Sequence, residues 1–305
     1  MSKSGIFTSS LAKKYWMALT GLFLITFLVG HLLGNLQLIL KTGEEGRRAF
    51  NEYAYFMGHN IFIKILAYVT YFSILAHACI GLYLAFRNKQ ARPKNYAYNK
   101  PNTNSSPASR NMAILGTLIL VFICTHMANF WYKQKVAETV PLHYVEVKKV
   151  QQMQDPQTMQ PVTQEYTEIQ ALTTMGVYFP VGYINPMTNE KEIQVKPEGT
   201  EFKDPQSGLV AAEGYRDLHT VVMNFFGQSQ QGQPTNELAL WAVILYVISM
   251  FVLMFHLWHG FASSFQSLGL NHKKYNGLIS FIGKAFSIVV PLAFAIIPVL
   301  IYLNR

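Results

Sequence analysis

Charged side chains are scarce in this sequence. Asp, Glu, Lys and Arg make up 13% of the 305 residues, about half of the share that soluble domains usually carry. Half of the residues are hydrophobic, so the composition disfavours an ordinary soluble domain. Charge is absent from four long runs, and a fifth is broken only by Lys284. The runs cover residues 15–40, 65–86, 111–132, 238–270 and 277–304.

Each run is long enough to cross a bilayer as a helix, which takes about 20 apolar residues. Helices satisfy their own backbone groups in lipid. The first run is too long for a signal peptide, and no small-residue cleavage site follows it, so we expect it to be retained. We predict an all-α membrane protein: a five-transmembrane-helix bundle with a large extracytoplasmic insertion between the third and fourth helices. Its predicted parts are residues 1–132, the insertion 133–237, and residues 238–305.

Acidic residues are missing from three of the segments outside the runs. The N-terminal tail, residues 87–110 and residues 271–274 carry only basic charges, and all 16 acidic residues lie within 44–52 and 138–237. The positive-inside rule therefore predicts a cytoplasmic N-terminus and an outer C-terminus. Basic loops commonly only set topology, but this basic face also suits an acidic cytoplasmic partner.

Cysteine and glycine-rich motifs are also sparse. Only Cys79 and Cys124 occur, both within apolar runs, so we expect neither a disulfide framework nor a cysteine-based metal site. No GxGxxG or P-loop motif occurs, and we expect no flavin, nucleotide, iron–sulfur cluster or nucleic acid on this chain.

The segment 133–237 is polar and partly rich in Gln. It contains one strand-like run at 176–184, between Pro and Asn signals. We expect a small outer cap with some β structure. Residues 215–227 are apolar on one face and predict a short helix on the membrane surface.

Histidine, in contrast, recurs inside the apolar runs. His31, His77 and His126 lie in the first three, and His256 and His259 both lie in the fourth. An ionisable group within a membrane is costly and marks a functional site by default. A single histidine also serves as an interhelical hydrogen bond. Four consecutive helices that each supply one are harder to explain by packing alone.

The depth of these histidines sorts them into two layers. At about 1.5 Å per residue, His31 and His126 lie in the outer halves of their helices. His77 and His256 lie in the inner halves, because their helices run in the opposite direction. Each layer holds imidazoles from two helices, which are the axial ligands of a six-coordinate b-type haem. Two layers predict two b haems, stacked to carry electrons across the membrane.

Small residues flank the histidines and leave room for a flat macrocycle, although they also serve ordinary helix packing. Those singled out are Gly30, Gly34, Gly81 and Gly260. His256 and His259 compete for one iron. His256 is better placed by depth and is followed four residues later by Gly260, so we assign it as the ligand. His259 then either hydrogen-bonds a haem propionate or is solvated by headgroups.

Four stretches of the sequence resemble a known family. They are SSLAKKYWMALTGLFLITFLVGHLLGN, AHACIGLYLAFRNK, THMANFWYK and FHLWHGFASSFQSLGLNHKKY. They resemble the dihaem cytochrome b subunits, of the five-helix single-chain type, that anchor succinate:menaquinone oxidoreductases and fumarate reductases. The resemblance looks closest to the cytochrome b558 subunits of Bacteroidetes-like bacteria. It covers the spans but not residues 137–213, which look like an insertion.

The resemblance implies roles for named residues. His31 and His126 would ligate the iron of a distal haem, and His77 and His256 that of a proximal haem. An HxxxG motif matches His256 and Gly260.

The resemblance also implies partners and a location. The dicarboxylate site and covalent FAD would lie on a separate cytoplasmic flavoprotein, and an iron–sulfur subunit would dock on the inner face of this chain. Electrons would pass between its clusters, the two haems and menaquinone. The chain would lie in the lipid of the bacterial cytoplasmic membrane, as part of the respiratory chain and the tricarboxylic acid cycle. The complex could form a higher oligomer.

A quinone site needs hydrogen-bond donors and a proton source. The loop between the first two runs offers four candidates, each of which also fits an ordinary solvated loop. They are Glu52, Tyr53, Tyr55 and His59. No carboxylate lies inside a run, so we do not expect a transmembrane proton route built on carboxyl groups.

Two other classes of protein stay open. Dihaem cytochromes of the b561 or hydrogenase-anchor type commonly place two ligands on one helix, whereas here each ligating helix has one histidine at the relevant depth. A transporter or non-haem scaffold would use the histidines as proton relays or packing bonds. Such a protein should show intramembrane acids or broken half-helices in matched positions. The sequence shows neither, which favours the haem anchor.

Overall fold

A computed structural model gives the structure of most of the chain. It describes residues 9–91, 106–137, 140–154, 160–186, 188–204, 206–229 and 235–304. Part of the charge pattern behind the predicted topology lies outside the described residues, namely Lys3 in the N-terminal tail and the segment 92–105.

Among the described residues, five helices are long and apolar enough to cross a membrane, as the five runs predict, and they indicate a multi-pass membrane protein. In chain order, the helices are α1 (Ser10–Leu40), α2 (Gly43–His59), α3 (Ile61–Gln90), α4 (Pro107–Arg110), α5 (Met112–His126), α6 (Tyr132–Lys135), α7 (Leu218–Phe225), α8 (Ala239–Ser267) and α9 (Asn276–Leu303). A π-helical turn, Met127–Trp131, joins α5 to α6. The candidate spans are α1, α3, the continuous segment from α5 to α6, α8 and α9.

The described residues of the segment that precedes α7 form two β-sheets. In chain order, the strands are β1 (Tyr144–Gln154), β2 (Pro161–Leu172), β3 (Tyr178–Ile184), β4 (Lys191–Ile193), β5 (Glu201–Lys203) and β6 (Val210–Glu213). The first four form an antiparallel sheet in the order β1-β2-β3-β4, and the last two form a second sheet. The all-α prediction therefore holds only in part: the chain is mostly helical, with two sheets in addition. The predicted strand at 176–184 is confirmed as β3.

The chain divides into two compact units. The first comprises residues 1–40, 58–129 and 222–305, and the second comprises residues 41–57 and 130–221. The first unit thus holds the long helices, and the second holds most of α2 together with both sheets.

Helix α8 is central to the first unit, where it packs against α9, α1 and α5. Close approach to α9 depends on Gly283, because a Cβ there would lie 2.6 Å from Cδ1 of Phe261. Helix α9 continues through Pro291 and Pro298, both of which are buried. Small residues at such contacts let helix backbones approach each other in an apolar environment.

The second unit has a hydrophobic core supplied by both sheets. Alternate residues of β2, Ile169 and Ala171, are buried, as expected for a strand with one face on a core. The other buried members of this core are Leu142, Val181, Phe202 and Ala212.

Residues 43–59 form a helix, so the prediction of a loop between the first two runs is wrong. Two side chains of α2, Arg47 and Asn51, are buried within the second unit. Arg47 donates to Oδ2 of Asp217 from Nη2 at 2.6 Å and from Nε at 3.0 Å. Asn51 donates to Oδ1 of Asp217 at 2.8 Å and accepts the backbone N–H of His219 at 2.9 Å. A buried pair of charges therefore ties α2 to the start of α7.

Asp217 is also the residue before α7, and its carboxylate accepts the backbone N–H of Thr220 at 3.1 Å. This is the geometry of a helix N-cap. The helix predicted at 215–227 is confirmed over Leu218–Phe225, and its position on a membrane surface stays a prediction. Burial alone would raise the pKa of Asp217, but the hydrogen bonds and charge of Arg47 outweigh it and hold the pKa below its usual value. Burial lowers the pKa of His219 to about 4.

We expect Asp217→Asn to destabilise the second unit by about 3 kcal/mol, because it leaves the buried Arg47 guanidinium without its main counter-charge. Amide hydrogen exchange of β1 and α7 in the full-length protein would measure the change. The matched control is Glu198→Gln, which removes an exposed pair with Lys203 and should change exchange little. Equal protection in wild type and Asp217→Asn would contradict this role.

Stability of the second unit should also depend on pH through His219. The pKa of His219 is about 4 in the folded chain, against 6.5 for the ordinary side chain, so the unfolded chain binds more protons between these values. The contribution of His219 to the free energy of unfolding is therefore fully present above pH 6.5. It falls, by up to about 1.4 kcal/mol per pH unit, as the pH drops toward 4. Hydrogen exchange of β2, corrected for intrinsic rates, should show a shallower fall in His219→Gln. Parallel profiles for the two proteins would exclude His219 as the cause.

Candidate functional site

The predicted haem ligands lie in the first unit, on four helices. His31 lies on α1, His77 on α3, His126 at the end of α5 and His256 on α8. The ring centroids of His31 and His126 are 5.8 Å apart, with the ring planes at 86°. Those of His77 and His256 are 6.1 Å apart, with the planes at 67°. The structure therefore brings together two histidine pairs, each between helices that are separate in the sequence.

The spacing of both pairs suits one metal ion between two imidazoles. A ring nitrogen lies about 2 Å from a bound metal, so the centroids of two opposed rings are about 6 Å apart. Within the described ranges, no group of three or more His, Cys, Asp or Glu side chains could hold a metal ion. Two nitrogens leave an ion short of protein ligands, whereas a haem brings its own four.

The space beside the ligands tests whether the residues present fit a haem. A Cβ added at Gly30 or at Gly260 would meet no atom within 4 Å. Open space one residue before His31 and four residues after His256 is compatible with a flat ring beside each pair. The Nδ1 atom of His256 is buried, and no hydrogen-bond partner for it exists in the described part of the chain; a haem bound through Nε2 would leave it unchanged. Ligation itself stays a prediction.

The other two predicted glycines lie in tighter surroundings. Gly34 is buried, and a Cβ at Gly81 would lie 3.4 Å from the terminal methyl of Met17. That methyl is the end of a flexible side chain, which can move. Gly30 and Gly260 therefore have more open space beside them than Gly34 and Gly81.

Hydrogen-bonding groups lie at Nδ1 of the other three histidines. Thr20 Oγ1 lies 3.3 Å from His77, the Asn35 amide nitrogen lies 3.3 Å from His31, and the Tyr246 hydroxyl lies 3.5 Å from His126. A hydrogen-bond acceptor at one ring nitrogen orients the ring and leaves the lone pair of the other nitrogen for a metal. The Asn35 amide nitrogen can only donate, so toward this amide Nδ1 of His31 is the acceptor. Thr20, Asn35 and Tyr246 are not among the residues predicted from the sequence. The sequence does carry a signal for them, because polar side chains are unusual in apolar spans.

A π-helical turn follows His126 directly. Its Asn129 side chain donates to the Tyr246 hydroxyl at 3.3 Å. A π-turn inserts one extra residue into a helix and often occurs at functional sites. Here it accompanies a polar contact between two spans beside a candidate ligand.

His259 is half-buried one turn beyond His256. The ring that lies beside His77 is that of His256. The side chain of His259 makes no hydrogen bond among the residues that the structure describes. Its proposed contact with a haem propionate stays a prediction.

The four quinone-site candidates lie on α2. Glu52 pairs with Arg48 at 2.7 Å, and the Tyr55 hydroxyl donates to Glu213 at 3.2 Å. Burial, followed by the charge of Glu213, raises the pKa of Tyr55. Glu52 and Tyr55 are three residues apart and share one face of the helix.

The other two candidates are Tyr53 and His59. Burial raises the pKa of Tyr53, which follows Glu52 and is therefore turned by about 100° around the helix. His59 is exposed at the end of α2, four residues after Tyr55 and seven after Glu52, and so lies on their face of the helix. The helix thus turns Tyr53 away from the other three candidates.

No protein-family model, curated protein or solved structure matches this chain. A functional assignment must therefore rest on the sequence motifs and on the geometry of the histidine pairs.

We expect Gly260→Leu to lower haem content from two per chain toward one, because the added side chain would fill the space that a macrocycle needs. The matched control is Gly277→Leu on α9, a helix without histidine, where a Cβ also meets no atom within 4 Å. Pyridine haemochrome assays on both purified proteins would measure the difference. Equal haem content in the two variants would show that the space beside Gly260 serves another purpose.

Proposed function

We propose that this chain is the membrane-anchor cytochrome b subunit of a succinate dehydrogenase or fumarate reductase complex. It would carry electrons through two bis-histidine b haems between an iron–sulfur subunit and menaquinone. The observation that supports this most is the presence of two histidine pairs in apolar helices, with ring centroids 5.8 and 6.1 Å apart. The four motifs that resemble dihaem anchor subunits contain these same histidines.

The chain's own residues would hold and shield the haems. His31 and His126 would bind one haem, and His77 and His256 the other. Each haem, when bound, would act as a reversible one-electron carrier. The ring of Phe27 stacks on that of His31 at a centroid distance of 5.4 Å. Apolar surroundings of this kind exclude water and influence the potential at which a haem accepts an electron.

The arrangement of the ligands favours this class over the two alternatives. Each pair draws on two helices, and each helix supplies one member, unlike cytochromes that place two ligands on one helix. The five candidate spans contain no Asp or Glu, the residues on which proton-coupled transporters commonly depend.

The charge pattern supports the proposed setting. Basic segments would face the cytoplasm of a bacterium, where an iron–sulfur subunit and an FAD-containing flavoprotein would dock. The dicarboxylate site would lie on the flavoprotein, not on this chain. For menaquinone we retain Glu52, Tyr53, Tyr55 and His59 as candidates. Since Glu52 and Tyr55 already have protein partners, a quinone would compete with Arg48 and Glu213 for them.

The test uses the full complex purified from native membranes through a tag on this chain. In wild type, we expect succinate to reduce bound b haem and a menaquinone analogue. His256→Ala should lose one of two haems and this quinone reduction, because one iron loses an axial ligand. The matched control, His259→Ala, removes the neighbouring imidazole and should retain both haems and the quinone reduction. Optical reduced-minus-oxidised spectra and quinone reduction rates measure the outcomes.

Different failures would contradict different parts of the proposal. A folded wild-type chain without haem would exclude the cytochrome. Two haems that succinate does not reduce, without a co-purifying flavoprotein, would indicate another class of dihaem cytochrome. Loss of haem in His259→Ala instead of His256→Ala would overturn the ligand assignment while leaving the function in place.

A further inference from the structure

Thr20 is a buried polar residue on α1, with 4% of its surface exposed. Its Oγ1 atom lies 3.3 Å from Nδ1 of His77 on α3. It also lies 2.6 Å from the backbone oxygen of Trp16 and 3.3 Å from that of Met17. One hydroxyl therefore contacts its own helix and a histidine of a second helix.

The hydrogen bonds of Thr20 define the direction of this contact. A hydroxyl has one hydrogen to donate, and a backbone oxygen can only accept. The short contact to Trp16 takes that hydrogen, so toward His77 the hydroxyl can only accept. Nδ1 of His77 must then carry its hydrogen, and the lone pair of the neutral ring lies on Nε2.

The neighbouring residue brings the His77 ring close to α1. A Cβ added at Gly21 would lie 3.2 Å from Cε1 of His77 and 3.7 Å from Oγ of Ser264 on α8. This spacing to Cε1 is tighter than ordinary contact, so a larger residue would press on the ring. Thr20 and Gly21 together contact the imidazole of His77 and limit its position.

The other member of this pair lacks such support. Nδ1 of His256 is buried and has no partner in the described part of the chain. Among the described residues, a side chain therefore contacts Nδ1 of His77 but not Nδ1 of His256.

We propose that Thr20 is a positioning residue for the haem ligated by His77 and His256, and that it holds His77 in the tautomer whose Nε2 binds iron. This inference rests on the proposed function. A hydrogen bond from the distant ring nitrogen raises the basicity of a ligating imidazole. A more basic ligand favours oxidised iron, so Thr20 lowers the midpoint potential of this haem and leaves the other unaffected.

The experiment is a redox titration of haem absorbance in the purified complex for three variants. Thr20→Val keeps the shape and removes the hydroxyl acceptor, while the backbone hydrogen bond of His77 with Met17 stays in place. It should raise the midpoint potential of one haem, the one that is lost in His77→Ala. Thr20→Ser restores a hydroxyl and should return that potential toward wild type. The matched control is Thr26→Val, because the Thr26 hydroxyl donates to the Leu22 backbone oxygen on the same helix, at 3.1 Å, and the residue is exposed.

The outcomes separate this proposal from the proposed function. Absence of haem in wild type would exclude both. Two haems in wild type, with unchanged potentials in Thr20→Val, would overturn the role of Thr20 and leave the function standing. An equal shift in Thr20→Ser or in Thr26→Val would also overturn it, because the cause would then not be the hydroxyl at His77. Should Thr20→Val fail to fold, a wild-type potential in Thr20→Ser together with a shift in Thr20→Ala would support the proposal.

Discussion

An imidazole inside an apolar span must find a partner, and much of the first unit is arranged around that requirement. A polar group without a partner in such surroundings is costly. The helices bring histidine rings from separate spans together in two pairs, His31 with His126 and His77 with His256. Side chains such as Thr20, Asn35 and Tyr246 meet the remaining ring nitrogens of three histidines. Among the described residues, no such partner reaches the buried Nδ1 of His256.

Features that depend on local composition were predictable from the sequence. Runs without charge predicted the five long helices, because few other structures satisfy the backbone in lipid. A strand-like run between Pro and Asn signals predicted β3. The apolar face after Asp217 predicted α7. Counting 1.5 Å per residue along each run also grouped His31 with His126 and His77 with His256, the rings that lie beside each other in the structure.

Features that depend on distant partners were not predictable. Helix α2 has a polar sequence, and its buried Arg47 has its partner Asp217 some 170 residues later. The register of the four-stranded sheet and the second sheet likewise depend on pairings that a single sequence does not reveal. The π-turn after His126 leaves no clear pattern, and the contact of Thr20 with His77 requires knowing which faces of two helices meet.

The most direct test of the two-haem account is the haem-to-protein ratio of the purified wild-type chain, together with the low-temperature electron paramagnetic resonance spectrum of its oxidised form. The account predicts two haems per chain and two low-spin signals typical of bis-histidine ligation. A well-folded chain purified with ample haem supply that contains no haem, or shows high-spin signals only, would contradict it.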